Sequence, residues 1–98
     1  MDKDRAIQTL REHEKELRAA GIVRIRLFGS TARGDARDGS DIDLMADFDK
    51  SKRLTLVSIG SIQERLTRML GAEVDLTSPE WMKQPIRDSA LDEAIVAF

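Results

Sequence analysis

The sequence contains no cysteine and a single histidine, His13, among its 98 residues. Without cysteine it can form no disulfide, no thiolate nucleophile and no cysteine-ligated zinc site. One histidine is too few for a multi-histidine zinc site, and it argues against a Ser/His/Asp triad. His13 lies among charged residues of a predicted helix, so we expect a solvated side chain rather than a ligand. The chemistry of this chain must therefore rest on carboxylates, hydroxyls and backbone groups.

Neither an excess of basic residues nor a long apolar segment is present. Sixteen Lys and Arg against eighteen Asp and Glu give a net charge of -2, which argues against non-specific nucleic-acid binding. No apolar run is long enough to cross a membrane, and the N-terminal MDKDRAIQTL is too charged for a signal peptide. With 41% hydrophobic and 35% charged residues, we expect residues 1–98 to form a single domain located in the cytoplasm.

Proline is scarce, and glycines separate segments whose hydrophobic patterns predict a small α/β (α+β) fold. Alternating apolar residues predict strands, and 3.6-residue periodicity predicts helices. We expect Trp81 to pack on the core, with the alternative that it is exposed and anchors a partner. The predicted elements are a helix over 4–20, a strand over 22–28, a loop over 29–40 with a helical turn at 31–34, a strand over 42–48, a helix over 55–70, a strand over 72–77, one or two short helices over 79–92 broken at Pro85, and a tail, AIVAF, that is either a strand or a helix end.

Two aspartates, Asp41 and Asp43, stand at the start of the second predicted strand. Residues i and i+2 of a strand point to the same face, with Cα atoms about 6.6 Å apart. Two neighbouring carboxylates, together with water and substrate phosphates, form the ligand set that Mg²⁺ accepts. The same pair also fits a solvated strand face, so taken alone it leaves both interpretations open.

A Gly-Ser pair, Gly29-Ser30, follows the first predicted strand directly. Glycine lets a backbone approach a ligand closely, and a serine hydroxyl with nearby N–H groups can hold phosphate oxygens. Arg33 is near enough in sequence to reach the same anion. Neither a Walker A loop nor a G-x-G-x-x-G fingerprint is present. By itself this pair is more typical of a plain turn.

Taken together, the run from Gly29 to Leu44 resembles the signature of the minimal nucleotidyltransferases of the DNA polymerase β-like superfamily. The matching residues are Gly29-Ser30-Thr31-Ala32-Arg33-Gly34, a five-residue spacer, and Ser40-Asp41-Ile42-Asp43-Leu44. The resemblance implies a polymerase β-like palm fold, a small mixed β-sheet flanked by helices. It also extends more loosely to the flanking helices, to the strand containing Asp75 and to the segment after Pro85.

The resemblance also implies a role for each matching residue. Gly29 and Ser30, with Arg33 and Ser40, would bind the triphosphate of a nucleotide. Asp41, Asp43 and Asp75 would be the catalytic carboxylates and would hold two Mg²⁺ ions. The flanking Val74 and Leu76 independently place Asp75 on the face of its strand away from the core. Without the motif, Asp75 would equally fit a strand-end residue in water.

The resemblance finally implies a function and a partner. The minimal nucleotidyltransferases typically pair with small helical HEPN-domain toxins, and this chain would be the antitoxin that transfers AMP from ATP to a hydroxyl, expected to be a tyrosine, of that partner. Enzyme and toxin would form a hetero-oligomer. The alternative is a non-catalytic antitoxin that acts by binding, with a vestigial or nucleotide-sensing site. The clustered carboxylates favour the enzyme, because they would destabilise an empty site. Transfer to a small molecule or a nucleic acid is the weaker third interpretation.

Overall fold

The computed structural model describes residues 2–34 and 41–98. Five α-helices, four strands and one 3₁₀ helix are found in these two ranges. In chain order they are α1 (Lys3–Glu12), α2 (Glu14–Ala20), β1 (Ile22–Leu27), α3 (Gly29–Arg33), β2 (Ile42–Phe48), α4 (Leu56–Leu70), β3 (Val74–Thr77), the 3₁₀ helix (Pro79–Trp81), α5 (Ile86–Glu93) and β4 (Ile95–Val96). Ser40 and Arg37 lie outside the described residues.

The four strands form one mixed sheet in the order β3-β2-β1-β4. The central pair β1–β2 is antiparallel, as is β1–β4, whereas β2 and β3 run parallel. The parallel pair is connected through α4, as parallel neighbours require a crossover rather than a tight turn. The expected mixed sheet flanked by helices is confirmed, and the tail left open between strand and helix forms β4.

The hydrophobic core lies between the sheet and helices α1, α2 and α4. One face of each central strand supplies aliphatic side chains, as the period-2 pattern requires. Ile25 and Leu27 of β1 and Leu44 of β2 are fully buried there. From α4, the buried residues Ile62, Leu66 and Leu70 follow the spacing of one helix face. This packing fixes the ends of β1 and β2, where the motif residues are located.

The single helix expected over 4–20 is in fact two helices that meet at His13. The His13 side chain turns back, and its Nδ1 lies 2.9 Å from the carbonyl oxygen of Thr9. Its φ and ψ of -105° and 15° lie off the helical values. His13 is thus half-buried and locally hydrogen-bonded rather than a freely solvated residue. The third strand is also shorter than expected and begins at Val74.

Trp81 packs on the margin of the core through Phe48, which itself packs against the core, and about half of its side chain stays exposed. Its side chain is 52% exposed, and its ring stacks on Phe48 with centroids 5.6 Å apart. The 3₁₀ helix that carries Trp81 lies over the end of β2 and leaves the outer side of the ring in solvent. Met45 alternates with the core-facing residues of β2 and so shares the strand face of Asp43 and Asp47, but it is fully buried.

No helix in residues 2–34 and 41–98 combines the length and the apolar character needed to cross a bilayer.

Candidate active site

The Gly-Ser pair begins α3 rather than lying in a loop. Gly29 is the first residue of this helix and has φ of +61°, a left-handed conformation that favours glycine. A Cβ atom at this position would meet the Oδ2 atom of Asp43 at 2.6 Å. The α3 backbone therefore approaches the Asp43 carboxylate more closely than any other residue type would permit.

Two hydrogen bonds hold the Asp43 backbone against the start of α3. The Asp43 N–H donates to Thr31 Oγ1 at 3.1 Å, and the Phe28 N–H donates to the Asp43 carbonyl oxygen at 3.1 Å. Thr31 is only 3% exposed, so this bond forms away from competing water. The sequence motif includes Thr31 without assigning it a role. The only sequence feature that could have indicated this contact is the hydroxyl of a β-branched residue directly after Gly-Ser.

The carboxylates of Asp43 and Asp75 lie side by side across two strands. Asp43 and Asp75 are register partners in the parallel β2–β3 pair. Partners in adjacent strands are about 4.8 Å apart at the backbone and point to the same face. Asp41 is exposed and immediately precedes β2. The expected orientation of Asp75, towards the same face as Asp43, is therefore found.

The pKa of the Asp43 carboxyl is shifted by its burial and by the neighbouring charges. Burial raises the pKa of the Asp43 carboxyl above its ordinary value of 3.8, and the negative charges of Asp75 and Asp41 raise it further. The positive charge of Arg33 acts in the opposite direction and lowers this pKa. Four predicted site residues therefore influence the Asp43 carboxylate. Asp41, Asp75 and Arg33 act through their charges, and Gly29 acts through its close approach to the Oδ2 atom.

The two aspartates on β2 and β3 and the exposed Asp41 supply oxygen donors of the type that Mg²⁺ prefers. Among residues 2–34 and 41–98, however, no three His, Cys, Asp or Glu side chains are close enough to surround one metal ion. The side chains therefore fit a cation in charge and in donor type. A three-carboxylate site would require the exposed side chains of Asp41 and Asp75 to turn inwards.

Of the remaining predicted residues, Arg33 lies at the end of α3. Its Nη1 atom donates to both carboxylate oxygens of Glu93 in α5 at 3.2 Å. Half of the Arg33 side chain is exposed, so part of it is accessible from solvent. Ser30 is partly buried in the first turn of α3. Ser40 lies outside the described residues.

A largely apolar pocket of about 290 Å³ opens beside Gly29. The pocket lies between the end of β1 and α5. Its walls are formed by Phe28, Gly29, Met82, Ile86, Ser89, Ala90 and Glu93. The pocket is contiguous with the Gly-Ser turn, and the sequence patterns gave no indication of it because its residues come from three separate segments.

The fold and this site together define an enzyme class. A Gly-Ser turn at the end of one strand, beside aspartates on the next two strands, is suited to bind a phosphate chain and to neutralise charge where its bonds change. These are the parts of a nucleotidyltransferase.

The family follows from sequence comparison. The model of the nucleotidyltransferase domain family matches residues 10–97, and this chain belongs to that family. The resemblance seen in the motif is thereby confirmed, and the chain is a nucleotidyltransferase.

Individual relatives and solved structures agree with this assignment. The chain is 36% identical over 87 residues to the protein adenylyltransferase MntA of Thermococcus cleftensis, covering 88% of this chain and 86% of MntA. A solved structure described as a minimal nucleotidyltransferase superposes with a TM-score of 0.82 at 34% identity, covering 97% of this chain and 95% of the other. The MNT antitoxin solved with a tri-AMPylated HEPN toxin of Shewanella oneidensis has the same fold, with a TM-score of 0.66 at 18% identity over 95% of this chain and 71% of that one.

Proposed function

We propose that this nucleotidyltransferase is a Mg²⁺-dependent protein adenylyltransferase that transfers AMP from ATP to a tyrosine hydroxyl of a HEPN-domain toxin and thereby acts as its antitoxin. The observation that supports this most directly is the position of the Asp43 carboxylate. It lies against Gly29 on one side and beside its register partner Asp75 on the other. The name of the Thermococcus relative and the modified toxin in the Shewanella complex support the type of acceptor.

The roles of the residues follow from this placement. Gly29 and Ser30 would bind the β- and γ-phosphates through backbone N–H groups and the serine hydroxyl. Arg33 would neutralise part of their charge, and the Ser40 hydroxyl would donate a hydrogen bond to a phosphate oxygen. Asp41, Asp43 and Asp75 would hold two Mg²⁺ ions. When bound, these ions would lower the pKa of the acceptor hydroxyl and offset the charge of the leaving pyrophosphate.

The transfer itself forms one bond and breaks one. The acceptor oxygen bonds to the α-phosphorus, the bond from that phosphorus to the bridging oxygen breaks, and pyrophosphate leaves. The proton of the acceptor hydroxyl passes to the Asp75 carboxylate. Because the protein need only position the groups and balance their charge, neither a cysteine nor a histidine is required.

The composition constrains the acceptor as well. The chain contains no tyrosine, so a tyrosine acceptor must belong to another molecule. Self-labelling on tyrosine is therefore excluded, and any tyrosine-linked AMP identifies the partner.

Label transfer tests the proposal. The purified protein is incubated with Mg²⁺, α-labelled ATP and a HEPN-domain protein from the same host, beside an Asp43→Asn variant and an EDTA control. We expect a labelled partner band that requires both Mg²⁺ and Asp43, with mass spectrometry locating AMP on a tyrosine. If the partner binds but stays unlabelled, the transferase proposal is wrong and the non-catalytic antitoxin takes its place.

A further inference from the structure

Two adjacent apolar side chains at the start of α4 are almost fully exposed. Leu56 is 88% exposed and Val57 is 82% exposed, more than any other large hydrophobic residue in the described part of the chain. Isolated exposed hydrophobic residues are ordinary on protein surfaces. Here two neighbours project from the same turn of a helix whose other large apolar residues are buried or half-buried in the core.

The same helix face carries residues that weaken the free protein. The first turn of α4 contains no acidic residue, although an acid there would suit the positive end of the helix dipole. Gly60 follows Leu56 by one turn, and a Cβ atom at Gly60 would have no atom from residues 2–34 or 41–98 within 4 Å. Alanine would therefore fit and would favour the helix. Residues that cost stability and satisfy no internal contact indicate a face used for binding.

The charges beside these residues indicate what binds there. Lys52 and Arg53 are exposed directly before the helix. In the part of the chain that the structure describes, the Arg53 guanidinium has no hydrogen-bond or ion-pair partner. A second copy of this chain, related by a two-fold axis, would bring these cations against their own counterparts. The charge therefore disfavours a homodimer and favours an acidic partner.

A lipid surface fits this face less well. A helix that lies on a membrane buries a long apolar stripe. In α4 that stripe is already occupied, because Ile62, Leu66 and Leu70 are buried in the core. Two outward-facing side chains form an apolar spot that a partner protein can cover, whereas a membrane anchor needs a long apolar stripe.

The face lies at the opposite end of the molecule from the active site. Asp43 is at the start of β2, and the chain reaches α4 only after the end of that strand. The five residue steps from Asp43 to Phe48, the end of β2, span about 16.5 Å at 3.3 Å each. A partner held at the start of α4 would therefore leave the Asp43 carboxylate open.

From these observations we propose that Arg53, Leu56, Val57 and Gly60 form a docking patch for the acceptor protein, separate from the catalytic site. The patch would bind a partner surface on which apolar side chains are bordered by carboxylates. The proposal rests on the proposed function in one respect, the identity of the acceptor as a HEPN-domain protein. It implies that holding the partner and modifying it are separable activities.

The test is a binding titration of the full chain with the host HEPN-domain protein, without nucleotide. The double variant Leu56→Glu/Val57→Glu changes the net charge by two. The control Arg5→Glu makes the same change in net charge in the first turn of α1, at an exposed position. We expect the double variant to bind at least about tenfold more weakly and the control to bind like wild type. Thermal unfolding should show the double variant folded, since acids suit the start of a helix.

Two further measurements separate the patch from the site. In label transfer the double variant should show an increased KM for the acceptor with an unchanged kcat. Added salt should weaken wild-type binding, as charge complementarity requires. A failure of transfer with intact, patch-dependent binding would contradict the proposed function but not the patch.

Three outcomes would overturn the docking proposal. The first is equal affinity of the double variant and wild type. The second is a wild-type homodimer in sedimentation that the double variant dissociates, which would assign the patch to a second copy. The third is patch-dependent binding to vesicles of phosphatidylserine and phosphatidylcholine together with unchanged binding of the HEPN-domain protein.

Discussion

Asp43 is the residue on which the contacts of the site converge. Its N–H is bound by Thr31, its carbonyl oxygen by Phe28, and its carboxylate lies against Gly29 and beside Asp75. The backbone bonds fix its position, whereas the neighbouring charges oppose its ionisation. A group held so firmly in an unfavourable charge state is typical of a functional site.

Replacing Asp43 by Asn should abolish transfer and also stabilise the free protein. The amide keeps the shape of the side chain but cannot neutralise a cation, so we expect the transfer rate to fall by at least about 100-fold. Transfer is measured with labelled ATP. The matched control is Asp92→Asn, an exposed residue with the same change of charge. A rate for Asp43→Asn equal to that of wild type would show that Asp43 holds no metal.

The stability effect of Asp43→Asn depends on pH in a defined direction. The folded-state pKa of Asp43 lies above its unfolded value, so the folded protein holds this proton more tightly. The free energy of unfolding of wild type therefore decreases as the pH rises through these two pKa values. Thermal melts should show Asp43→Asn above wild type at pH 7 and the difference shrinking towards pH 3. A constant difference would contradict this origin.

Gly29→Ala should damage the protein in two ways. The left-handed φ of +61° costs a non-glycine residue about 1–2 kcal/mol. The new Cβ would also displace the Asp43 carboxylate, which lies 2.6 Å from its position. Gly34→Ala is the control, because Gly34 has φ of +78° and no atom of the described residues lies within 4 Å of the added atom. We expect similar losses in thermal stability from the backbone but a loss of transfer only in Gly29→Ala. Equal activity of the two variants would argue against a close approach at Asp43.

At the residue scale, the motif from Gly29 to Leu44 named residues that the structure brings to the Asp43 carboxylate, and the looser resemblance added its register partner Asp75. Their roles as site residues stay a prediction. The sequence could not show that Arg33 also pairs with Glu93, since 60 residues separate them. Nor could it show the half-exposed stacking of Trp81 on Phe48, because a single aromatic residue carries no periodicity.

Among the elements, α4 combines a well-formed start and end with a weak interior. Thr55 Oγ1 accepts the Ser58 N–H at 3.1 Å and caps the start. Gly71 ends the helix with φ of +71°. Between them Gly60 satisfies no local requirement for glycine. The helix is therefore held mainly by the packing of its buried face.

Gly60→Ala should raise the free energy of unfolding by about 1 kcal/mol, the helix-propensity difference between the two residues. Gly71→Ala is the contrasting variant and should lower it, because its backbone is left-handed. Urea titrations with a common m-value would measure both changes. If Gly60→Ala lowers stability instead, α4 must differ at this position from a regular helix.

The ends of a helix or strand were predictable where the local residue types change clearly at its boundary. Strand β2 was predicted at its observed ends, 42 and 48, because its alternation lies between polar segments. The break at His13 was not predictable, since the flanking residues keep one apolar face and the break depends on a side-chain contact with Thr9. The start of α3 at Gly29 was likewise missed, because glycine and serine are typical of turns.

For the molecule as a whole, the fold class and the mixed sheet were predictable from the motif, but the strand order was not. Three short strands and a two-residue tail are compatible with several orders. The order β3-β2-β1-β4 depends on long-range pairing, and it is this order that places Asp75 beside Asp43. The single-domain organisation stays a prediction.

Nucleotide binding should stabilise the whole molecule. A ligand at 100 times its Kd adds about 2.7 kcal/mol to the free energy of unfolding, or roughly 10 °C or more for a chain of this size. We expect Mg²⁺ with a non-hydrolysable ATP analogue to raise the melting temperature of wild type, and EDTA to reverse the increase. Asp43→Asn should respond weakly. An equal increase in that variant would place nucleotide binding outside the predicted carboxylates.

The contacts of Thr31 and Phe28 with Asp43 have a consequence for how the gene can vary. These two hydrogen bonds join the start of α3 directly to β2, independently of the chain between Gly34 and Asp41. The distance from Gly29 to Asp43 is therefore set without reference to the length of that connection. A one-residue insertion or deletion between Phe28 and Thr31, or next to Asp43, would break at least one of these two bonds. Such a variant of the gene would separate the Gly-Ser turn from the carboxylate even though every motif residue is still present.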